Sequence, residues 1–204
     1  WRQQAATRCW YRAGYAKLGD ARFLGHLDFQ RLLQLALRRA GLPLAYSQGF
    51  HPHVLLRFGP PLPVGVEGEA EILDLALERQ LPDWPGRLNA ELPEGVRVLR
   101  CEVVGPNLPG PIEADVTRFA YVADLASGPG QAAPAAWRER VAEFLASASW
   151  PCTRQRPKGD LELDARAALG GDELAHETVG EGPGRLRFTL QREAGAAGLS
   201  PHEF

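Results

Sequence analysis

The order of apolar and polar positions predicts a strand and then an amphipathic helix near the start of the chain. Residues 8–17 alternate in polarity and include aromatic side chains, which is typical of a β-strand. Residues 27–40 repeat their apolar positions at helical spacing, and Gly41 followed by Pro43 ends that helix. The apolar arc of the helix consists of Phe29, Leu32, Leu33, Ala36, Leu37 and Ala40. The opposite face is polar, so we expect the apolar arc to pack against a sheet.

The segments that follow complete the order β-α-β-β-α-β. Strands are predicted over residues 44–46, 54–58, 69–77 and 96–104, and a short helix over 84–92. This order is that of a ferredoxin-like split βαβ unit, so the sequence predicts an α+β fold with a first domain at residues 8–104. Residues 105–111 are dense in Gly and Pro and predict a linker.

The second domain, residues 112–204, carries a weaker version of the same pattern. Strands are predicted over residues 119–125, 153–155 and 185–191, and a helix over 135–146, whereas 161–169 fits neither period clearly. The sequence therefore predicts one ferredoxin-like unit and leaves open whether a second follows it in tandem.

Charge divides the chain more sharply than its net value of −2 suggests. Residues 1–58 carry nine Lys or Arg against two acidic residues, a net charge of +7. The remaining 146 residues carry 14 basic and 23 acidic side chains, a net charge of −9. Such asymmetry indicates an anionic partner for the basic segment, residues 1–58.

Several classes of protein are disfavoured by what the sequence lacks. No apolar stretch approaches the roughly 20 residues that cross a bilayer. The three cysteines are scattered, which predicts neither a disulfide framework nor a metal site and favours a reducing cytoplasm. Phosphate-binding loops, dinucleotide-binding glycine motifs and the serine elbow of α/β-hydrolases are also missing, and no feature points to DNA.

The amphipathic helix carries the first group of candidate site residues. His26 and Asp28 lie at its start, where they could serve structure or binding, or where His26 could act as a general acid or base. Arg31 and Arg38 are two helical turns apart, and Arg39 flanks them. Since Asp28 is the only carboxylate on the helix, pairing within the helix cannot satisfy three arginines, and planar guanidinium groups suit phosphates or carboxylates of a partner.

The loop after the helix carries the second group. Its candidate residues are Ser47, Gln48, Gly49, Phe50 and His51, and Arg57 on the next strand joins the binding set. One interpretation is a tight turn in which Phe50 anchors the core. The other is a loop of hydrogen-bond donors whose aromatic ring stacks on a nucleobase. Because the chain reverses after the helix, we expect this loop beside the beginning of the helix, near His26 and Arg31.

The same segments resemble a known family. The residues that carry the resemblance are Phe23-Leu24-Gly25-His26-Leu27-Asp28, Arg31, Arg38-Arg39-Ala40, Leu42-Pro43, Ser47-Gln48-Gly49-Phe50, Glu71 and Asp74. This pattern, strongest over residues 11–77, resembles the family of radical-SAM-linked proteins, a domain of unknown function numbered 2344. The chain departs from it at Gly68, where members often have Ser, and at His51 and His53, where they often have Asn and Pro.

The resemblance implies a partner rather than an activity. Such domains are fused to, or encoded beside, a cobalamin-binding radical SAM protein, frequently near genes for a ribonuclease and ribosomal proteins. A radical SAM cluster needs three closely spaced cysteines, and Cys9, Cys101 and Cys152 are far apart in the sequence. The resemblance therefore implies that any cluster and cobalamin belong to the partner, and we expect no cofactor in this chain.

Three functions remain open on the sequence. The first is a non-catalytic accessory module that binds RNA, a radical SAM partner, or both, in RNA modification or processing. The second is a metal-independent ribonuclease of the RAMP type, with His26 as acid or base and Arg31 or Arg38 holding a phosphate. The third is a subunit that only docks onto a protein.

Overall fold

The protein has a mixed α/β fold with antiparallel sheets and few helices. The computed structural model describes residues 8–125, 134–155, 159–169, 174–177 and 184–191. The chain divides into two compact units, residues 1–113 (unit 1) and 114–204 (unit 2), so the division falls just after the predicted linker. Within the described ranges, no helix is long and apolar enough to cross a membrane.

Unit 1 is built on a four-stranded sheet. Its elements are β1 (Cys9–Lys17), a 3₁₀ helix (Gly19–Phe23), α1 (His26–Arg39), β2 (Leu56–Phe58), β3 (Gly68–Leu77), α2 (Trp84–Asn89) and β4 (Val96–Gly105), and α3 (Ile112–Asp115) follows. The strands lie in the order β2-β3-β1-β4, and every neighbouring pair is antiparallel. Among the described strands, β2 is therefore an edge strand whose one partner is β3.

One face of this sheet packs against the apolar arc of α1. Phe29, Leu33, Ala36 and Leu37 are buried, as the helical phase predicts. They join a core with Tyr11, Tyr15, Leu75 and Val98 of the sheet and Trp84 and Leu88 of α2. Alternate strand positions point to the opposite face, where Trp10 packs with Ala45 and Ala76.

Three predicted elements of unit 1 are shorter in the structure by two residues or more, among them the strand predicted over 54–58, which begins at Leu56. The predicted strand at 44–46 is reduced to isolated bridges, Leu44 to Leu77 and Tyr46 to Val54. The helix predicted to reach residue 92 ends at Asn89, whose side chain hydrogen-bonds the backbone of Val98, with Nδ2 donating at 2.9 Å and Oδ1 accepting at 2.8 Å. This side chain ties the end of α2 to β4.

The described part of unit 2 holds a three-stranded sheet and a separate two-stranded sheet. Its elements are β5 (Arg118–Asp124), α4 (Pro134–Ala146), β6 (Pro151–Arg154), β7 (Leu161–Asp164), α5 (Ala165–Ala168), β8 (Ala175–Glu177) and β9 (Arg185–Gln191). The sheet order is β5-β9-β8, and β6 pairs with β7. The segment 161–169, ambiguous in sequence, divides into β7 and α5 because the Asp164 carboxylate accepts the backbone N–H of Arg166 and Ala167 and caps the helix.

Candidate functional site

Three arginines of α1, namely Arg31, Arg38 and Arg39, are exposed. We refer to them as the α1 arginines. Arg31 Nη1 lies 3.2 Å from Asp28 Oδ1, one turn earlier, and these side chains are 78% and 64% exposed. A pair so open to solvent is weak and easily exchanged for another anion. In the part of the chain that the structure describes, Arg38 and Arg39 form no ion pair, so all three cations remain available to a partner.

Two leucines interrupt this charged side of α1. Leu27 is 64% and Leu35 48% exposed. Leu27, Arg31 and Leu35 are spaced four residues apart, so their side chains lie next to one another along one side of the helix. The sequence predicted a polar face on this side of α1. Leu35 lies outside the predicted apolar arc, and that position could have predicted an exposed leucine here.

His26 is the first residue of α1 and borders a cavity. Its ring lies edge-on to Phe58, with 5.5 Å between centroids and an interplanar angle of 80°. The cavity, about 460 Å³ in volume, is lined by His26 and Gln30 of α1, Leu56, Arg57 and Phe58 of β2, and Gly59, Pro61, Pro111 and Ile112. We call it the β2 cavity. It brings together two sequence-predicted residues, His26 and Arg57, and its lining does not include the α1 arginines.

Arg57 is also part of an internal ion cluster. Asp74 is completely buried. Its carboxylate accepts hydrogen bonds from Arg57 Nη2 at 2.7 Å and from Arg12 Nε at 2.8 Å. Arg57 Nη2 donates further to the carbonyl of Pro109 at 3.0 Å, and its guanidinium lies over the Trp10 ring. A buried carboxylate requires such partners, since leaving it unpaired would cost several kcal/mol. The structure thus gives Arg57 a structural role beside any role in binding.

Two further ionisable groups of unit 1, Lys17 and Glu71, lie near each other away from full exposure and were not identified from the sequence. Lys17, the last residue of β1, is 4% exposed, and its Nζ donates to the carbonyl of Leu24 at 2.8 Å. Burial lowers the pKa of Lys17 and raises that of Glu71 to about 7, and the attraction between the two groups partly opposes each shift. The hydrogen bond from Lys17 fixes the chain just before α1 begins.

The loop from Ser47 to His53 is closed on itself. Ser47 Oγ accepts the N–H of His53 at 3.0 Å, and the N–H of Ser47 donates to the His53 carbonyl at 2.9 Å. Gly49 adopts a φ of 132°, which favours glycine. Phe50 is fully exposed, so the interpretation in which it anchors the core is wrong. Gln48 and His51 are exposed as well.

The loop does not lie where the sequence suggested. The bridge between Leu44 and Leu77 forms five residues after α1 ends, and Leu77 pairs with Cys9 at the start of β1. The loop therefore leaves the sheet at the end where α1 finishes, whereas we expected it beside His26. Three extended residues reach only about 10 Å, and the 14-residue α1 is about 21 Å long, so the segment 44–46 is too short to return to the helix start.

Among the described residues, no three His, Cys, Asp or Glu side chains lie close enough together to hold a metal ion. Cys9 is buried, and Cys101 and Cys152 are half-buried, all as free thiols.

Comparison with known proteins gives one family. The family described as an uncharacterized protein conserved in bacteria (DUF2344) matches residues 10–197, which include most of both units. No curated protein gives a significant match to the sequence.

Proposed function

The chain belongs to the DUF2344 family of uncharacterised bacterial proteins, and on that premise we propose that it is an RNA- and partner-binding module. It acts with a cobalamin-dependent radical SAM protein in RNA modification or processing. The observation that carries the RNA part is the exposure of the α1 arginines. Had Arg31 and Arg38 been buried against carboxylates of β3, they would have served stability alone.

The charge distribution of unit 1 supports an anionic ligand. Of the three β3 carboxylates, Asp74 is buried beneath two arginines, Glu71 is half-buried near Lys17, and Glu69 is exposed. Asp74 and Glu71 do little to neutralise the surface of α1. Guanidinium groups bind phosphate oxygens through two parallel hydrogen bonds, and the phosphate backbone dominates the affinity of proteins for RNA.

A ferredoxin-like topology for unit 1 is part of the same proposal. Its support is the element order β1-α1-β2-β3-α2-β4 together with the sheet order β2-β3-β1-β4. For a second such unit in tandem, the support is the succession of β5 and α4 and the antiparallel pairing of β5 with β9. In this arrangement the helices cover one face of the first sheet and α1 presents its arginines on the outside.

The partner is proposed to be a cytoplasmic radical SAM protein that supplies the cluster and the cobalamin. The basis is the resemblance to radical-SAM-linked proteins. Leu27 and Leu35 favour a protein contact on the same side of α1, because exposed leucines beside arginines are typical of docking surfaces rather than of phosphate-binding surfaces. Docking is therefore the second candidate function for this helix.

The ribonuclease alternative has less support in the geometry. Cleavage at a phosphodiester needs a group that removes a proton and a group that donates one. Among the described residues that line the β2 cavity, His26 is the one histidine, and no carboxylate accompanies it. Cleavage of structured RNA that persists in chelator and disappears in His26→Ala would revive this alternative.

A double substitution tests the RNA-binding proposal. We expect Arg31→Ala/Arg38→Ala to weaken binding of a structured bacterial RNA by about 1–3 kcal/mol at low salt, with an unchanged melting temperature. The matched control is Arg79→Ala/Arg97→Ala, which removes two exposed arginines of unit 1 outside α1. Equal losses in both variants would show that only overall charge matters, and no RNA binding by the wild type would refute the RNA part.

A separate experiment tests docking. We expect Leu27→Ser/Leu35→Ser to reduce co-purification with the radical SAM partner after nuclease treatment while RNA binding is retained. Co-purification that nuclease abolishes would instead mean that RNA bridges the two proteins.

A further inference from the structure

The strand β4 forms the second edge of the unit 1 sheet, and part of that edge is exposed. Among the described strands β4 is the last in the order β2-β3-β1-β4, with β1 as its one partner. Three apolar side chains of β4 lie open to solvent, since Leu99 is 55%, Val103 51% and Val104 42% exposed. An exposed edge of this kind offers unpaired backbone groups and apolar side chains to another strand.

The hydrogen bonds of β4 show which part of the edge is open. Val98 directs its N–H and its carbonyl away from β1, and the Asn89 side chain binds both groups. Alternate residues of β1 bond to β4, so when the register is followed along β1 past the bulge after Val98, Cys101 and Val103 also direct their backbone groups outward. In the described part of the chain, these groups have no partner on that side. The edge is therefore covered at Val98 and open from there to Val103.

The charges on the open segment are arranged in a self-complementary way. Arg100 and Glu102 are exposed, and among the described residues neither forms an ion pair. They are two residues apart, so their side chains lie on the same face of the sheet. When a second copy of the segment runs antiparallel with Cys101 on the twofold axis, Arg100 of each copy faces Glu102 of the other. The same register sets Leu99 opposite Val103.

We propose that residues 99–103 pair with the same residues of a second copy of this chain and form a symmetric dimer. The two unit 1 sheets then join across their β4 edges. A second copy is the occupant that the charges favour, because it supplies an acidic and a basic side chain in the required order in both halves of the contact. The contact is short, so the dimer belongs to the weak and reversible class of assemblies. This inference goes beyond the proposed function and does not depend on it.

Sedimentation of the full chain over a series of concentrations tests the dimer, after nuclease treatment and with a reductant present. We expect the wild type to shift reversibly from monomer to dimer. Arg100→Glu sets two carboxylates opposite each other twice in each dimer, so it should raise the dimer Kd by about tenfold or more. Glu102→Arg should do the same with two guanidinium groups. Arg97→Glu is the matched control, since it makes the same charge change at an exposed position of β4 outside the open segment and should leave the Kd unaltered.

An equimolar mixture of Arg100→Glu and Glu102→Arg tests the register. In the mixed dimer the introduced carboxylate faces the introduced guanidinium and the native pair remains, so we expect dimers to return in the mixture. Their return would also show that both variants are folded. A wild type that stays monomeric at every concentration would overturn the inference. An equal loss of dimer in Arg97→Glu, no loss in Arg100→Glu, or a mixture that stays monomeric would overturn it as well.

Discussion

At the scale of single residues, unit 1 buries Asp74 and half-buries Glu71, and it leaves the α1 arginines exposed. Asp74 is held by Arg12 and Arg57, and Glu71 lies near Lys17, whereas Arg38 is exposed. Burial raises the pKa of Glu71, so the stability of the fold depends on whether this group carries its proton. The pH dependence of stability should therefore report on Glu71.

The pKa of Glu71, raised from 4.5 to about 7, predicts the sign of that dependence. Between these values the folded state keeps a proton that the unfolded state has released, so stability is present below about pH 4.5 and decreases as the pH rises toward 7. Urea unfolding of the wild type and Glu71→Gln at several pH values isolates this contribution, about 3 kcal/mol in total. A constant difference between the two proteins from pH 4.5 to 8 would contradict the burial of an ionisable Glu71.

Phe50 allows stability and binding to be separated. Because its side chain is fully exposed, Phe50→Ala should change the free energy of unfolding by less than about 0.5 kcal/mol. If the loop stacks on RNA, the same variant should weaken RNA binding by about 1–3 kcal/mol. Fluorescence anisotropy with labelled RNA and a denaturant titration give the two numbers. Unaltered RNA affinity would remove the loop from the binding surface.

At the scale of elements, α1 has one side that supports the fold and one that faces solvent. Leu33 is 2% exposed on the first side, and Leu35 is 48% exposed on the second. The two leucines are two positions apart in the same helix. They therefore form a matched pair for testing which side the fold requires.

Leu33→Asp should destabilise the protein by several kcal/mol, because it places a carboxylate without a partner in the core. Leu35→Asp should cost less than about 1 kcal/mol, because the new carboxylate remains in water. Thermal unfolding followed by circular dichroism measures both. Similar melting temperatures for the two variants would mean that the helix is rotated relative to the structure.

At the scale of the whole molecule, the basic region of residues 1–58 should make RNA binding strongly dependent on salt. Each phosphate contact contributes about 0.7 to the slope of log affinity against log salt for single strands. Arg31→Ala/Arg38→Ala should therefore reduce that slope by about 1.4, if each arginine contacts one phosphate. Filter binding between low and moderate salt measures it. A slope identical to that of the wild type would place the contacts elsewhere.

The sequence predicted correctly those features of the fold that depend on residues close together in the chain. The apolar arc of α1 was recognisable because Phe29, Leu33 and Leu37 repeat at helical spacing, and they are buried. The burial of Asp74 was not, because it depends on a register that sets Arg12 and Arg57 opposite it from two different strands. The position of the Ser47–His53 loop depended similarly on how far a three-residue segment could reach.

The hydrogen bond from Arg57 to the Pro109 carbonyl has a practical consequence for dividing the protein. Residues 105–111 have the composition of a linker, yet Pro109 and Gly110 accept hydrogen bonds from Arg57 and Arg12, and Ile112 is buried. A fragment that stops at residue 104 would lose these contacts and leave apolar surface uncovered, which favours aggregation. A fragment that extends to residue 113 keeps them, so limited proteolysis should spare 109–112 despite its loop-like composition.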